Sequence, residues 1–132
     1  MAKLVRDVMA AGPWAIEATT SLQDAARMMR VWGLNEVFVV DGGDLRGVLS
    51  DTHIVVLAIA SGRSPSSVLA GESCDPDVPR LQSTQPVAEA LADVHRHRPA
   101  RIAVVDGDRL VGTISPADLI TRSTCGSVPF YG

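Results

Sequence analysis

Two places in the chain put a serine three residues ahead of a side chain that can accept hydrogen bonds. Ser115 precedes Asp118 at this spacing, and Ser50 precedes His53. An ionised carboxylate is acceptor-only and takes two donors at once, whereas a neutral imidazole offers one acceptor and a charged imidazole none. Asp118 can therefore accept two hydrogen bonds from one ligand, and His53 is a poor substitute for it.

The same spacing also suits the beginning of a helix. Ser115 would be the N-cap, Pro116 would occupy the first helical position, and Asp118 would complement the positive end of the helix dipole. Capping explains these residues without a ligand. A carboxylate has spare lone pairs, so the two roles can coexist, and both interpretations stay open here.

Other residue types that support catalysis or metal binding occur without the partners they need. The sequence has no Gly-x-Ser-x-Gly elbow, no phosphate-binding loop leading into a helix and no His-Glu-x-x-His. Cys74 and Cys125 are too few for a disulfide framework or a zinc motif and are interpreted as reduced thiols. His95 and His97 lack further ligands at zinc spacing. We expect no enzyme and no metal site.

Composition narrows the class of protein further. The 132 residues suit one compact domain, and 46% hydrophobic against 20% charged residues indicates a folded chain. A net charge of −3 and only 4% aromatic residues argue against nucleic-acid binding. The single candidate for that function is the cluster Arg96, Arg98 and Arg101. No apolar run approaches 18 residues and no signal-peptide core opens the chain, so we expect a cytoplasmic protein without a membrane span.

The elements that must position these residues are duplicated. A shift of 65 residues places Val-Val-Asp-Gly at 39–42 on the same four residues at 104–107, and no gap is needed from residue 4 to residue 54. A repeat this complete indicates two copies of one small α/β unit, paired face to face with a groove between them. We assign residues 1–67 to the first copy with its linker, 68–124 to the second, and 125–132 to a tail.

Each copy reads as β-α-β-β-α. Helical spacing after a Ser cap, β-branched runs and glycine-containing turns predict the elements. The first copy has strands at 14–18, 37–40 and 45–49 and helices from 21 to 33 and from 50 to 60. The second has strands at 78–81, 102–105 and 110–114 and helices at 86–96 and 116–122.

This order, with Leu-x-Gly-Val-Leu-Ser-Asp at 45–51 and Leu-Val-Gly-Thr-Ile-Ser-Pro-Ala-Asp at 110–118, resembles the CBS domain pair, or Bateman module. The likeness covers nearly the whole chain and extends to small bacterial members that stand alone. It implies an α/β (α+β) fold of two tandem CBS repeats packed with pseudo-two-fold symmetry. It also implies a homodimer formed through the helices.

The resemblance further implies an adenosine nucleotide, AMP, ADP or ATP, in the cleft between the repeats. The family motif gives Asp118 the two ribose hydroxyls and sets the adenine against the start of the strand at 102. The second-copy site then comprises Val78, Arg80, Arg101, Ile102, Ala103, Ser115 and Asp118. The first-copy site, with Ala15, Val37, Ser50 and His53, departs from the motif, and we expect it to be empty or weakened.

Two questions stay open at this stage. Arg80 is either a phosphate ligand or a solvated side chain, and Arg98 and Arg101 either face phosphate or offset a helix dipole. The implied function is a regulatory module that senses a nucleotide and is read by an unidentified protein partner. The alternative is a ligand-free dimerisation or protein-interaction module whose nucleotide sites are degenerate.

Overall fold

The computed structural model describes residues 3–11, 15–97, 102–117 and 119, and for 93–97 the backbone alone. Its elements confirm the duplicated order. They are α1 Val5–Val8, β1 Ala10–Ala11, β2 Ala15–Glu17, α2 Leu22–Trp32, β3 Glu36–Asp41, β4 Asp44–Ser50, α3 Asp51–Ser61, α4 Ala70–Ser73, β5 Arg80–Gln82, α5 Val87–His97, β6 Ile102–Asp106 and β7 Arg109–Ile114.

The predicted boundaries differ from the observed ones by a few residues. The short strands β2 and β5 begin later than expected, and α5 is displaced by one residue. A helical turn begins at Pro116, but the rest of the predicted last helix and the tail lie outside the described residues. Trp14, which was assigned to packing, also lies outside them.

The chain divides into two compact units, one of Trp14–Val78 and the other of Met1–Pro13 with Pro79–Gly132. The opening residues therefore belong with the second copy, where Val5 N–H donates to the Gln85 carbonyl at 2.9 Å. The matching segment at 68–74 belongs with the first, where Ala70 N–H donates to the Thr20 carbonyl at 2.7 Å. The boundaries 1–67, 68–124 and 125–132 describe the repeat in sequence and stay a prediction.

The first-copy unit is built on a three-stranded arrangement. β2 runs parallel to β3, and β3 runs antiparallel to β4 with an irregularity between Val39 and Val40. Gly42 and Gly43 have φ of 62° and 97° at the hairpin tip, so the predicted turn has the positive φ at both central positions that a type I′ turn requires. α2 is capped as predicted, because the Ser21 hydroxyl accepts from Asp24 N–H at 3.1 Å.

The core of this unit lies between the strands and helices α2, α3 and α4. It comprises Ile16, Leu22, Ala25, Met29, Val37, Val39, Leu49, Ile54, Val68 and Ala70. Met29 is buried as expected and Trp32 packs at the edge of the core, whereas Met28 is 37% exposed. Alternate residues of β3 therefore enter the core, and Phe38 lies on the opposite face of the strand.

The second-copy unit repeats the arrangement. β5 runs parallel to β6, and β6 runs antiparallel to β7 with an irregularity between Val104 and Val105, which is 65 residues from the one in β3. Strand β1 adds an antiparallel edge to β7, with Ala10 opposite Thr113. The core comprises Val5, Val8, Leu81, Val87, Ala90, Ile102, Val104, Ile114 and Leu119. Among the helices that the structure describes, none has the length and apolarity needed to cross a membrane.

Candidate functional site

Four of the predicted second-copy residues lie at one end of three adjacent strands. Arg80 begins β5 and is opposite Ala103 in β6, while Ile102 is opposite Ile114, the last residue of β7, which Ser115 follows. Parallel β5 and β6 begin where antiparallel β7 ends. The strand register therefore gathers residues that are 35 positions apart in sequence at one edge of this unit.

Burial distinguishes what these four residues can offer. The Ile102 and Ala103 side chains are buried, Ser115 is half-buried and Arg80 is exposed. Ile102 packs in the core of the unit, so its side chain serves the fold. Arg80 forms none of the ion pairs found among the described residues. An exposed, unpaired guanidinium can form charge-assisted hydrogen bonds with an anion.

Ser115 also begins a helical turn. Its carbonyl accepts from Leu119 N–H at 3.0 Å, the first intrahelical bond that an N-cap residue makes. The capping interpretation of Ser115 therefore has support from the backbone. Asp118, to which the ribose was assigned, and Arg101 both lie outside the described residues.

Val78 lies just ahead of these strands. It is buried, and its N–H donates to the Pro76 carbonyl at 2.9 Å. The following residue, Pro79, accepts from Ala103 N–H at 3.3 Å. This bond holds the chain leading into β5 against the beginning of β6.

The matching residues of the first copy occupy equivalent places. Ala15 is opposite Phe38, and Val37 is opposite Leu49 in the core. Ser50 caps α3, since its hydroxyl accepts from His53 N–H at 3.0 Å. The His53 side chain is half-buried, in keeping with the surface or cleft position expected for it.

The two copies differ most at one register pair. The second copy has Arg80 opposite Ala103, and the first has Ala15 opposite Phe38. A large buried ring thus replaces a methyl group, and a methyl group replaces a cation. Phe38 was not among the predicted site residues, although the 65-residue shift that aligns it with Ala103 contains the signal.

Cys74 is a free, half-buried thiol at the end of α4. Burial raises the pKa of the Cys74 thiol above its ordinary value, and the nearby Arg46 charge opposes that shift only in part. The thiol is therefore protonated at neutral pH, as expected for an unreactive cysteine. Cys125 lies outside the described residues.

The sequence model of the CBS domain family matches residues 5–59 and 70–124. Hypoxic response protein 1 of Mycobacterium tuberculosis is 30% identical over 115 residues, which cover 86% of this chain and 80% of that protein. A crystal structure of Hypoxic Response Protein I with two coordinated zinc ions superimposes with a TM-score of 0.78 at 28% identity, covering 89% of this chain and 97% of that one.

A second solved structure, CBSX2 in complex with AMP, has a TM-score of 0.72 at 19% identity and covers 89% of this chain and 93% of that one. At that identity the likeness concerns the fold alone. As for zinc, the described residues of this chain contain no group of three or more His, Cys, Asp or Glu side chains placed to hold a metal ion.

Proposed function

The chain belongs to the CBS domain family, and on that premise we propose that it is a regulatory module whose second copy binds an adenosine nucleotide, AMP, ADP or ATP. CBS domains are generally non-catalytic, and the proposal includes no reaction. Binding stabilises one packing of the module, and a protein partner reads that state. The proposal keeps the cytoplasmic location and the homodimer expected from the sequence.

The observation that carries this proposal is the pairing of Arg80 with Ala103. Arg80 is exposed and forms no ion pair among the described residues, so its guanidinium is available to phosphate. Ala103 contributes only a methyl group beside it, which leaves room for a planar base against the strand. A cation beside a small apolar surface suits a nucleotide, which carries charge at one end and an aromatic base at the other.

The remaining residues take the roles that the family motif gives them. Asp118 accepts from the two ribose hydroxyls, and Ser115 begins the helix that presents that carboxylate. Ile102 contributes its backbone, because its side chain packs in the core. Val78 lines the approach to β5, and Arg101 lies at the base or the phosphate. The AMP complex of CBSX2 supports the ligand class, since that protein shares the fold.

Calorimetric titration of the full chain with AMP, ADP, ATP and adenosine tests the proposal. Each hydrogen bond to an ionised acceptor contributes about 1.5–3 kcal/mol, so Asp118→Ala should weaken binding at least about a hundredfold. His53→Ala, the matched change in the first copy, should leave affinity unchanged. Arg80→Ala should weaken the three nucleotides and leave adenosine unaffected, because adenosine has no phosphate.

Thermal unfolding gives an independent readout. A nucleotide at one hundred times its dissociation constant should add about 2.7 kcal/mol to the free energy of unfolding. If the wild-type chain shows neither heat nor a shifted melting temperature with any of these nucleotides, the nucleotide function is excluded.

The first copy favours a second candidate, a ligand-free dimerisation or interaction module. Phe38 occupies the position of Ala103 and Ala15 that of Arg80, while His53 replaces the ribose-binding aspartate. Mass spectrometry of small molecules that co-purify with the native protein separates the two candidates. An adenine nucleotide at one equivalent supports the sensor, and protein that is ligand-free and inert in titration supports the interaction module.

A further inference from the structure

Helix α3 is apolar around its whole circumference. From Ile54 to Ala60 it has no polar or charged side chain, yet Ile54 is its only fully buried residue. Val55 and Val56 are each 56% exposed and Ile59 is 77% exposed. A helix that is hydrophobic on all sides is normally buried on all sides. The outer surface of α3 therefore lacks the cover that its composition requires.

The neighbouring helix α2 provides a contrast within the same unit. It also has 11 residues, but its exposed surface carries Asp24, Arg27 and Arg30, and its buried residues Leu22, Ala25 and Met29 form one stripe. α2 thus has the pattern of a surface helix with one packed side. The apolar exposure is a property of α3 and not of the unit as a whole.

A groove runs between these two helices beside the exposed surface of α3. It encloses about 260 Å³ and is lined by Ala26, Met29, Arg30, Leu34, Asp51, Ile54 and Val55. Val55 stands at the border of the groove, and Ile59 lies one turn further along the same side of α3. A protruding apolar ridge and an apolar recess therefore lie next to each other.

The two walls of the groove carry opposite charges. Arg30 is exposed on α2 and Asp51 is exposed on α3, and the two do not form an ion pair with each other among the described residues. A surface with a ridge, a recess and one charge of each sign can complement itself. A two-fold axis brings the ridge of one copy to the recess of the other and pairs each cation with the other copy's anion.

We propose that this α2–α3 surface, defined by Arg30, Asp51, Val55, Val56 and Ile59, is where a second copy of the chain docks. The inference rests on the homodimer included in the proposed function, and it assigns that dimer a surface and a pair of reciprocal ion pairs. A membrane fits the surface less well, because helices that lie on membranes carry Lys or Arg on their polar face and α3 has neither.

Sedimentation velocity of the full chain without nucleotide tests the assignment. The wild-type chain should sediment as a dimer at micromolar concentration. Ile59→Glu should sediment as a monomer, because it buries a charge against an apolar recess. Val31→Glu is the matched control, since Val31 is 80% exposed on α2 but does not line the groove, and it should leave the dimer intact.

Charge exchange tests the ion pairs. Arg30→Glu and Asp51→Arg should each weaken the dimer by about tenfold, because the two-fold axis places like charges together twice. The double variant should recover wild-type association. Circular dichroism of each variant shows whether it has folded, so a folding defect is not mistaken for dissociation.

The outcomes separate the surface from the proposed function. A dimeric wild type whose Ile59→Glu variant is folded and equally dimeric refutes this surface and leaves the homodimer standing. A monomeric wild type refutes both, including one that instead co-sediments with anionic phospholipid vesicles. Nucleotide binding by calorimetry is measured separately and can fail or succeed in either case.

Discussion

Replacing Ser50 with alanine removes the N-cap of α3 and leaves the hydrophobic core unchanged. Ser50 has extended backbone, with φ −103° and ψ 160°, and its hydroxyl accepts from His53 N–H at 3.0 Å. Without that acceptor one amide of the first turn loses its partner. Loss of a serine cap costs about 1 kcal/mol of folding free energy, within a range of about 0.5–2.

That free energy converts into a measurable shift. For a domain of this size, 1 kcal/mol corresponds to about 4 °C in melting temperature. Ser50→Ala should therefore melt about 4 °C below the wild-type chain and unfold at a lower urea concentration with an unchanged m-value. Ser50→Asn keeps an acceptor at the cap and should melt close to the wild-type temperature.

The same substitution in the second copy separates capping from ligand binding. Ser115→Ala should lose a similar amount of stability, and under the proposed function it should also weaken nucleotide binding. Ser50→Ala should leave nucleotide affinity unchanged, because the first-copy site is degenerate. The reasoning fails if Ser50→Ala melts at the wild-type temperature, or if it weakens nucleotide binding as much as Ser115→Ala does.

Two other substitutions probe the surroundings of α4. A Cβ on Gly47 would lie 2.8 Å from the Asp75 carbonyl carbon and 2.9 Å from the Cys74 sulfur, so Gly47→Ala should cost about 1–3 kcal/mol in urea unfolding; an unchanged midpoint would contradict the close approach. In a Cys125→Ser background, Cys74 should react with a thiol reagent at pH 7.5 more slowly than free cysteine. Its rate should rise with pH, because burial raises the pKa of the thiol; a rate equal to that of free cysteine would show an accessible sulfur.

Much of the fold follows from the sequence because the repeat doubles every local signal. The 65-residue shift predicts equivalent turns and strands, and the structure places the strand irregularities at Val39/Val40 and Val104/Val105, at that same spacing. Capping by Ser21 is equally local and was predicted. Signals of this kind depend on a few neighbouring residues, so they survive without knowledge of distant contacts.

The features that sequence reasoning missed depend on distant partners. β1 has two residues, and what makes it a strand is its pairing with β7, about 100 positions further on. The opening segment belongs with the second copy through the backbone bond from Val5 to Gln85. No periodicity within the segment itself records such a partner, because the pattern of a short turn is the same wherever it packs.

The candidate site is harder to predict than the fold, because the same residues serve both. A serine at the beginning of a helix caps it whether or not a ligand is present, as Ser50 does in the copy that departs from the binding motif. The distinguishing information lies instead at the register pair, where one copy has a cation beside a methyl group and the other a methyl group beside a buried ring. A difference between two copies that share every structural requirement cannot be explained by those requirements. It points to a role that one copy has and the other lacks, and titrating the Arg80→Ala variant measures that role directly.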